Sequence, residues 1–199
     1  MAHKNYFFPN IAHSLRDDRE RKKVIFEFSI IPIVKNCLVG EMDREKAIAL
    51  LKEVGLSDHI IKHSIAVANK AVQIAQRIAL RIPVDIPTVE AGALLHDIGR
   101  VKSQGIHHAA EGSKLLREHG LPEAIVRIAE IHSLDAMWPQ TIEEKIVCYT
   151  DKIVKGTHEI TVHDRFDLWM KRYGKSDLLL TAKKTILKIE KELAGLLAD

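Results

Sequence analysis

From Met42 to the C-terminus, apolar residues recur every three or four positions in almost every segment, and this rhythm constrains the chain more than any other feature. Such a period lines one face of a helix, whereas a half-buried strand needs strict alternation. Asp43 is placed to cap a helix running through Val54 and stopped by Gly55. Ser57 is placed to cap a longer one to about Leu80, with Val67, Ala71, Ile74 and Ile78 as its stripe and His63 at its head. Pro83 and Pro87 bracket a loop, and the next helix runs from about Thr88 to Ile98. Another spans about His108 to His119, closed by Gly120, and Pro122 starts one from Glu123 to His132 at a first-turn position that tolerates proline. Thr141-Ile142-Glu143-Glu144 is a capping box opening a helix through Val154. The last helix, about Ser176 to Leu197, aligns Leu179, Ala182, Ile186, Ile189, Leu193 and Leu196. The predicted fold class is all-α.

Residues 1–41 do not share this rhythm. They hold seven basic and five acidic side chains, against 23 and 22 in residues 42–199. Val24 to Val34 is a β-branched and aromatic run that reads as a short strand or an apolar strap. A signal peptide there is disfavoured by Glu27 inside the run, by Pro32, and by the lack of a small-residue cleavage site. The expected organisation is an N-terminal extension over 1–41 and one domain over 42–199. Either the extension is an accessory arm or Met42 is the natural start.

No stretch reaches the roughly eighteen apolar residues of a membrane span. A net charge of +3 on 199 residues gives no electrostatic case for nucleic acid or an anionic membrane. Cys37 and Cys148 form no metal-type pair and read as free thiols of a reducing compartment, so the expected location is cytoplasmic.

Histidine is the informative residue, with 11 in the chain. In Ala93-Leu94-Leu95-His96-Asp97-Ile98-Gly99-Arg100, an adjacent His-Asp pair ends an apolar helix. Burying an imidazole beside a carboxylate is costly unless something pairs with both. A divalent metal does so, taking a neutral ring nitrogen and a carboxylate oxygen. The alternative is a helix end facing solvent. His63 reads as a core histidine bonded to backbone or as a ligand. His132, at a helix C-terminus, is also explained by the helix dipole. Asp151, inside the apolar Ile146 to Val154 stretch, needs a partner. His107 and His108 open a helix, where a cation is not favoured, so a ligand role is more attractive there.

Taken together, His63, His96-Asp97, His108, His132 and Asp151 resemble the HD superfamily of metal-dependent phosphohydrolases. The Leu94 to Gly99 stretch is similar to the HDIG-type subgroup. Glu90 to Ala93, His108 to Arg117 and Cys148 to Lys152 resemble compact archaeal or bacterial members. The resemblance covers roughly residues 43–155 and implies a helical bundle. It implies that His63, His96, Asp97 and Asp151 hold a principal metal, that Asp97 can bridge to a second, and that His108 and His132 are the additional ligands. His108 is preferred over His107 because family members place this histidine four residues before a glycine, here Gly112. One or two divalent ions are expected. Nitrogen and oxygen ligands without thiolate suit Mn, Fe, Co, Ni or Mg, with Zn less favoured.

The implied activity is hydrolysis of a phosphate ester of a small molecule, a nucleotide or cyclic nucleotide, by metal-activated water. Asp97 and Arg100 are the expected catalytic residues, and Arg100, Lys102 and Lys152 the expected phosphate contacts. The expected partner is a small phosphorylated substrate, with neither nucleic acid nor membrane; nothing in the sequence sets the oligomeric state. Arg100 stands where some nucleoside-monophosphate-cleaving members carry a glutamate, so their acid–base arrangement does not carry over. The GYP signature of cyclic dinucleotide phosphodiesterases is absent. The alternative is a non-catalytic HD module that binds metal or ligand and acts in regulation or protein interaction. A complete metal set favours the enzyme.

Overall fold

Helix α1 (Arg44–Glu53) begins where Asp43 accepts a hydrogen bond from the Lys46 amide, and its left-handed successor Gly55 (φ 80°) stops it. The computed structural model describes residues 42–105 and 107–198. The expectations placed on residues 1–41, including the Val24 to Val34 segment and Cys37, lie outside them. α2 (Asp58–Ile78) starts after Ser57, whose hydroxyl pairs with the His59 ring rather than with the helix amides. Its expected stripe of Val67, Ala71, Ile74 and Ile78 is buried.

α3 (Ile86–Leu95) departs from expectation at both ends. It starts earlier, because Asp85 accepts from the Thr88 amide and hydroxyl, and Pro87 sits inside the first turn instead of in a loop. It stops at Leu95, after which Ile98–Val101 form a 3₁₀ turn with Asp97 just before it. α3 is apolar nearly all round, as a central helix must be, and packs against α1, α2, α5 (Glu123–Ile131) and α6 (Ile142–Ile153). A Cβ at Gly92 would collide with Ile128 of α5, so glycine sets that approach.

α4 (His108–Glu118) lies on the 3₁₀ turn. Gly99 is there for space: a Cβ would run into the backbone of His108 and Gly112. Pro122 is the residue before α5 rather than its first. The capping box of α6 forms as read, with Thr141 accepting from the Glu144 amide and Glu144 Oε2 accepting from the Thr141 and Gln140 amides. Glu144 Oε1 also accepts from Arg127 Nε at 2.8 Å, tying α6 to α5.

Two features were not expected. Val154–Lys155 (β1) and His158–Glu159 (β2) pair as a small antiparallel hairpin, turning at Gly156 with φ 60°. Strands of two residues are too short to show a period. Helix α7 (Val162–Tyr173) follows, capped by Thr161. Val162, Phe166, Trp169 and Tyr173 recur at helical spacing along it, but only Val162 and Phe166 are buried. α8 (Asp177–Leu197), capped by Ser176, buries the expected Leu179, Ala182, Ile186, Ile189 and Leu193 and packs on α2, α6 and α7. The fold is all-α, and no helix among the described residues is long and apolar enough to cross a membrane.

Candidate metal centre

Four histidines converge from four places in the fold, and each ring is oriented in the same way. His96, directly after α3, has Nδ1 at 2.7 Å from the Ala93 carbonyl. His108, opening α4, has Nδ1 at 2.7 Å from the Gly105 carbonyl, and His132, ending α5, has Nδ1 at 2.7 Å from the Ala129 carbonyl. His63, on α2, has Nδ1 at 3.0 Å from the carbonyl of Gly156, the hairpin residue in the left-handed region. A carbonyl oxygen can only accept, so Nδ1 carries the proton in every ring and Nε2 presents a lone pair.

The four Nε2 atoms face two carboxylates. Asp97 puts Oδ1 3.3 Å from Nε2 of both His108 and His132, and Oδ2 3.6 Å from Nε2 of His96. Asp151, on α6, puts Oδ1 3.2 Å from Nε2 of His63 and 3.5 Å from Nε2 of His96. His108 and His132 face each other Nε2 to Nε2 at 2.9 Å. With both rings protonated on Nδ1, these are two lone pairs in opposition, a contact that repels unless a cation lies between them. His96 Nε2 and Asp97 Oδ1 are buried with no hydrogen-bond partner. Buried polar atoms are rarely orphaned, and these acceptors share a focus. Two overlapping groups, His63–His96–Asp151 and His96–Asp97–His132, each bring their ligand atoms within 4.8 Å of one another and could hold a metal.

The electrostatics agree. Burial opposes ionisation of Asp97, yet His96, His108 and His132 around it hold its carboxyl well below the ordinary value. Burial likewise opposes ionisation of Asp151, and Lys152 and His63 overcome it. Burial also disfavours charge on His96, but Asp97 and Asp151 raise its pKa. Burial pushes His132 down to about 4 against the pull of Asp97, keeping it neutral near pH 7 as a ligand must be. Two buried carboxylates thus set a field that draws in positive charge.

The expected cations behave differently from one another. Arg100 lines the cavity above the centre, with Nε 2.7 Å from Asp97 Oδ2. Lys152 is buried rather than solvated; its ammonium donates to the His132 carbonyl at 2.8 Å and pairs with Asp151 Oδ2. It therefore stiffens the Asp151–His132 junction from beneath. Lys102 is exposed and is not among the described residues lining the cavity, so the structure does not bring it to the centre. His107 is exposed just before α4, whereas His108 is buried, in line with the preference for His108.

The centre forms the floor of a cavity of about 790 Å³. Its far wall is α7, which contributes Arg165, Trp169, Arg172 and Tyr173. None of these was singled out from sequence. The available signal was short: an apolar and aromatic repeat at Val162, Phe166, Trp169 and Tyr173, with Arg165 and Arg172 beside it.

The HD domain family matches residues 60–155, which hold all six of these histidines and aspartates. An uncharacterized protein of Methanocaldococcus jannaschii is 33% identical over 172 residues, covering 78% of this chain and 99% of that protein. This chain belongs to the HD-domain family. A tRNA (cytidine(56)-2'-O)-methyltransferase of Thermoplasma volcanium is 34% identical over 172 residues, 79% of this chain but 48% of that enzyme. A ribonuclease Y of Acidothermus cellulolyticus is 33% identical over 100 residues, 49% of this chain and 19% of that enzyme. The HD-domain chain thus spans about half the length of the methyltransferase and about a fifth of the nuclease. No solved structure matches it at a significant level.

Proposed function

We propose that this HD-domain protein is a metal-dependent phosphohydrolase that cleaves a phosphate ester of a small molecule, a nucleotide or cyclic nucleotide, in the cytoplasm. The observation that carries this reading is the set of Nδ1-protonated imidazoles aiming their Nε2 lone pairs at one another and at two carboxylates. His63, His96, Asp97 and Asp151 would hold a principal divalent ion, and His108 and His132 a second, with Asp97 between them. Mn, Fe, Co, Ni or Mg suits this donor set better than Zn. Such ions supply a water of lowered pKa and relieve charge on phosphoryl oxygens.

The chain's own groups do the rest. The backbone carbonyls of Ala93, Gly105 and Ala129 fix ring tautomer and direction, so the ligand set is organised before anything binds. Lys152 holds Asp151 ionised and in place. Arg100 steadies Asp97 and stands at the cavity where a phosphoryl oxygen would enter, and its guanidinium can serve both carboxylate and phosphate. The near-neutral balance of residues 42–199 supports a small substrate over nucleic acid.

The test is hydrolysis by the full chain of a panel of phosphomonoesters and phosphodiesters, with Mn, Co, Ni or Mg added in turn after chelation. Metal-restored turnover of at least one ester is expected. Metal bound with no turnover across the panel would instead favour a non-catalytic HD module.

A further inference from the structure

The cavity holds more positive charge than its two carboxylates use. Arg100 is engaged by Asp97 and Lys152 by Asp151. Arg165 and Arg172, both on α7, form no ion pair with a carboxylate among the described residues, although both line the same cavity. Arg165 is half-buried; Nη2 reaches only the Asp151 backbone carbonyl at 3.3 Å, and Nε is buried without a partner. A guanidinium is costly to desolvate and leave unpaired.

The same helix face is flat and aromatic. Positions 165, 169, 172 and 173 fall on one side of α7 by helical spacing. The Arg165 guanidinium lies 4.8 Å from the centre of the Trp169 ring, and Trp169 rests edge-on against buried Phe166 at 5.1 Å. Beyond it, Arg172 lies 5.2 Å from the ring of Tyr173, which is 66% exposed. Two cation–aromatic contacts therefore follow each other along α7. Guanidinium planes and aromatic rings both stack on nucleobases, while the edge of an arginine binds phosphate. A cavity of about 790 Å³ has room for such a ligand.

We propose that α7 is the substrate-recognition wall of the cavity: Arg165 holds a phosphoryl group and Trp169, continued by Arg172 and Tyr173, stacks on a base, so that the ligand is a nucleoside phosphate. This deepens the phosphohydrolase reading and names residues for its substrate. A free nucleotide and a strand's terminal nucleotide present this same chemistry.

The experiment is calorimetric binding to the full chain, with Mg and separately with chelator, so that no turnover is needed. The probes are the four nucleoside 5′-monophosphates, ribose 5-phosphate, and a short 5′-phosphorylated oligoribonucleotide. At least one nucleotide should bind more tightly than ribose 5-phosphate. Trp169→Leu should weaken that nucleotide roughly ten- to a hundredfold, the scale of losing a base stack, and leave ribose 5-phosphate unchanged. Trp169→Phe, which keeps a ring, should restore most of the affinity and guards against a folding artefact. Arg165→Gln should weaken nucleotide and sugar phosphate alike. Tighter binding of the oligonucleotide than of any free nucleotide would identify the source as a strand end and still meet the proposal. Ribose 5-phosphate binding as well as every nucleotide, or Trp169→Leu weakening both classes equally, overturns it. A nucleotide bound through Trp169 yet hydrolysed with no metal would leave the recognition wall standing and sink the phosphohydrolase reading. Hydrolysis of sugar phosphates with nucleotides ignored would do the reverse.

Discussion

The floor and the far wall of the cavity are built on opposite plans. On the floor, the ligands are held from behind: three imidazoles are locked to backbone carbonyls three residues before them, His63 to Gly156, and Asp151 to Lys152. On the α7 wall, Arg165 and Arg172 lack carboxylate partners among the described residues and Tyr173 is largely exposed. A site that must hold a small hard cation needs ligands fixed before it arrives. A site that must hold a larger, variable organic group can leave its contacts open. The difference teaches where constancy and adaptability belong in such a cavity.

Arg100 stands on the border of the two plans and breaks the comparison most sharply. Arg100→Ala is expected to cut kcat/KM by roughly ten- to a thousandfold on the best substrate. Retained metal with that loss makes it a substrate contact, with lysine rescuing only in part. Metal lost along with activity would place it wholly on the floor, as a clamp for Asp97. Unchanged kcat/KM and metal content would remove it from both.

Gly99 tests how rigid the floor is. Its added Cβ would meet the backbone of His108 and Gly112, so Gly99→Ala must displace α4 and with it His108. Thermal or denaturant unfolding should show a loss of about 1–3 kcal/mol, the scale of overpacking. A variant with unaltered stability would mean that α4 shifts freely and the floor is not preset. His132→Ala should reduce bound metal from roughly two ions per chain toward one, read by metal analysis. One ion in both proteins would leave His108 and His132 as contacts for something else.

A smaller effect is expected from Glu144, which supports the floor indirectly by starting α6. Burial opposes its charge, but Arg127 and the Gln140 and Thr141 amides hold its pKa below the ordinary value. A lowered carboxyl pKa stabilises the fold above its unfolded value and loses that contribution as pH falls through the folded one. Glu144→Gln should therefore cost about 1 kcal/mol near pH 7. The gap to wild type should close as the pH drops below 4.5. A pH-independent gap would assign the cost to packing alone.

The floor was legible in the sequence through its aspartates, which offended their surroundings, whereas His63 and His132 each had an ordinary explanation when taken alone. Asp151 in an apolar helix and His96-Asp97 after an all-apolar one make sense only with a partner, and their order resembles a family pattern. Helix boundaries were readable where side chains cap, as at Asp43, Ser176 and the Thr141–Glu144 box. They slipped at α3, where Asp85 outranks Pro87. The wall was not legible. α7 has a short helical repeat of which it hides only Val162 and Phe166, and its arginines and aromatics look like ordinary surface until the fold turns them onto the cavity. Lys152, expected as a phosphate contact, lines the cavity, but its burial against Asp151 and the His132 carbonyl shows only in the packing.

The central claim is that the buried imidazoles and carboxylates are a metal centre, and metal content per chain tests it most directly. Wild type and Asp97→Ala, purified identically and loaded with Mn, should differ: the wild type retains metal after desalting, and Asp97→Ala loses it while its far-UV helical signal is preserved. Equal metal in the two proteins, or none in the wild type under any of Mn, Fe, Co, Ni or Mg, would contradict the account.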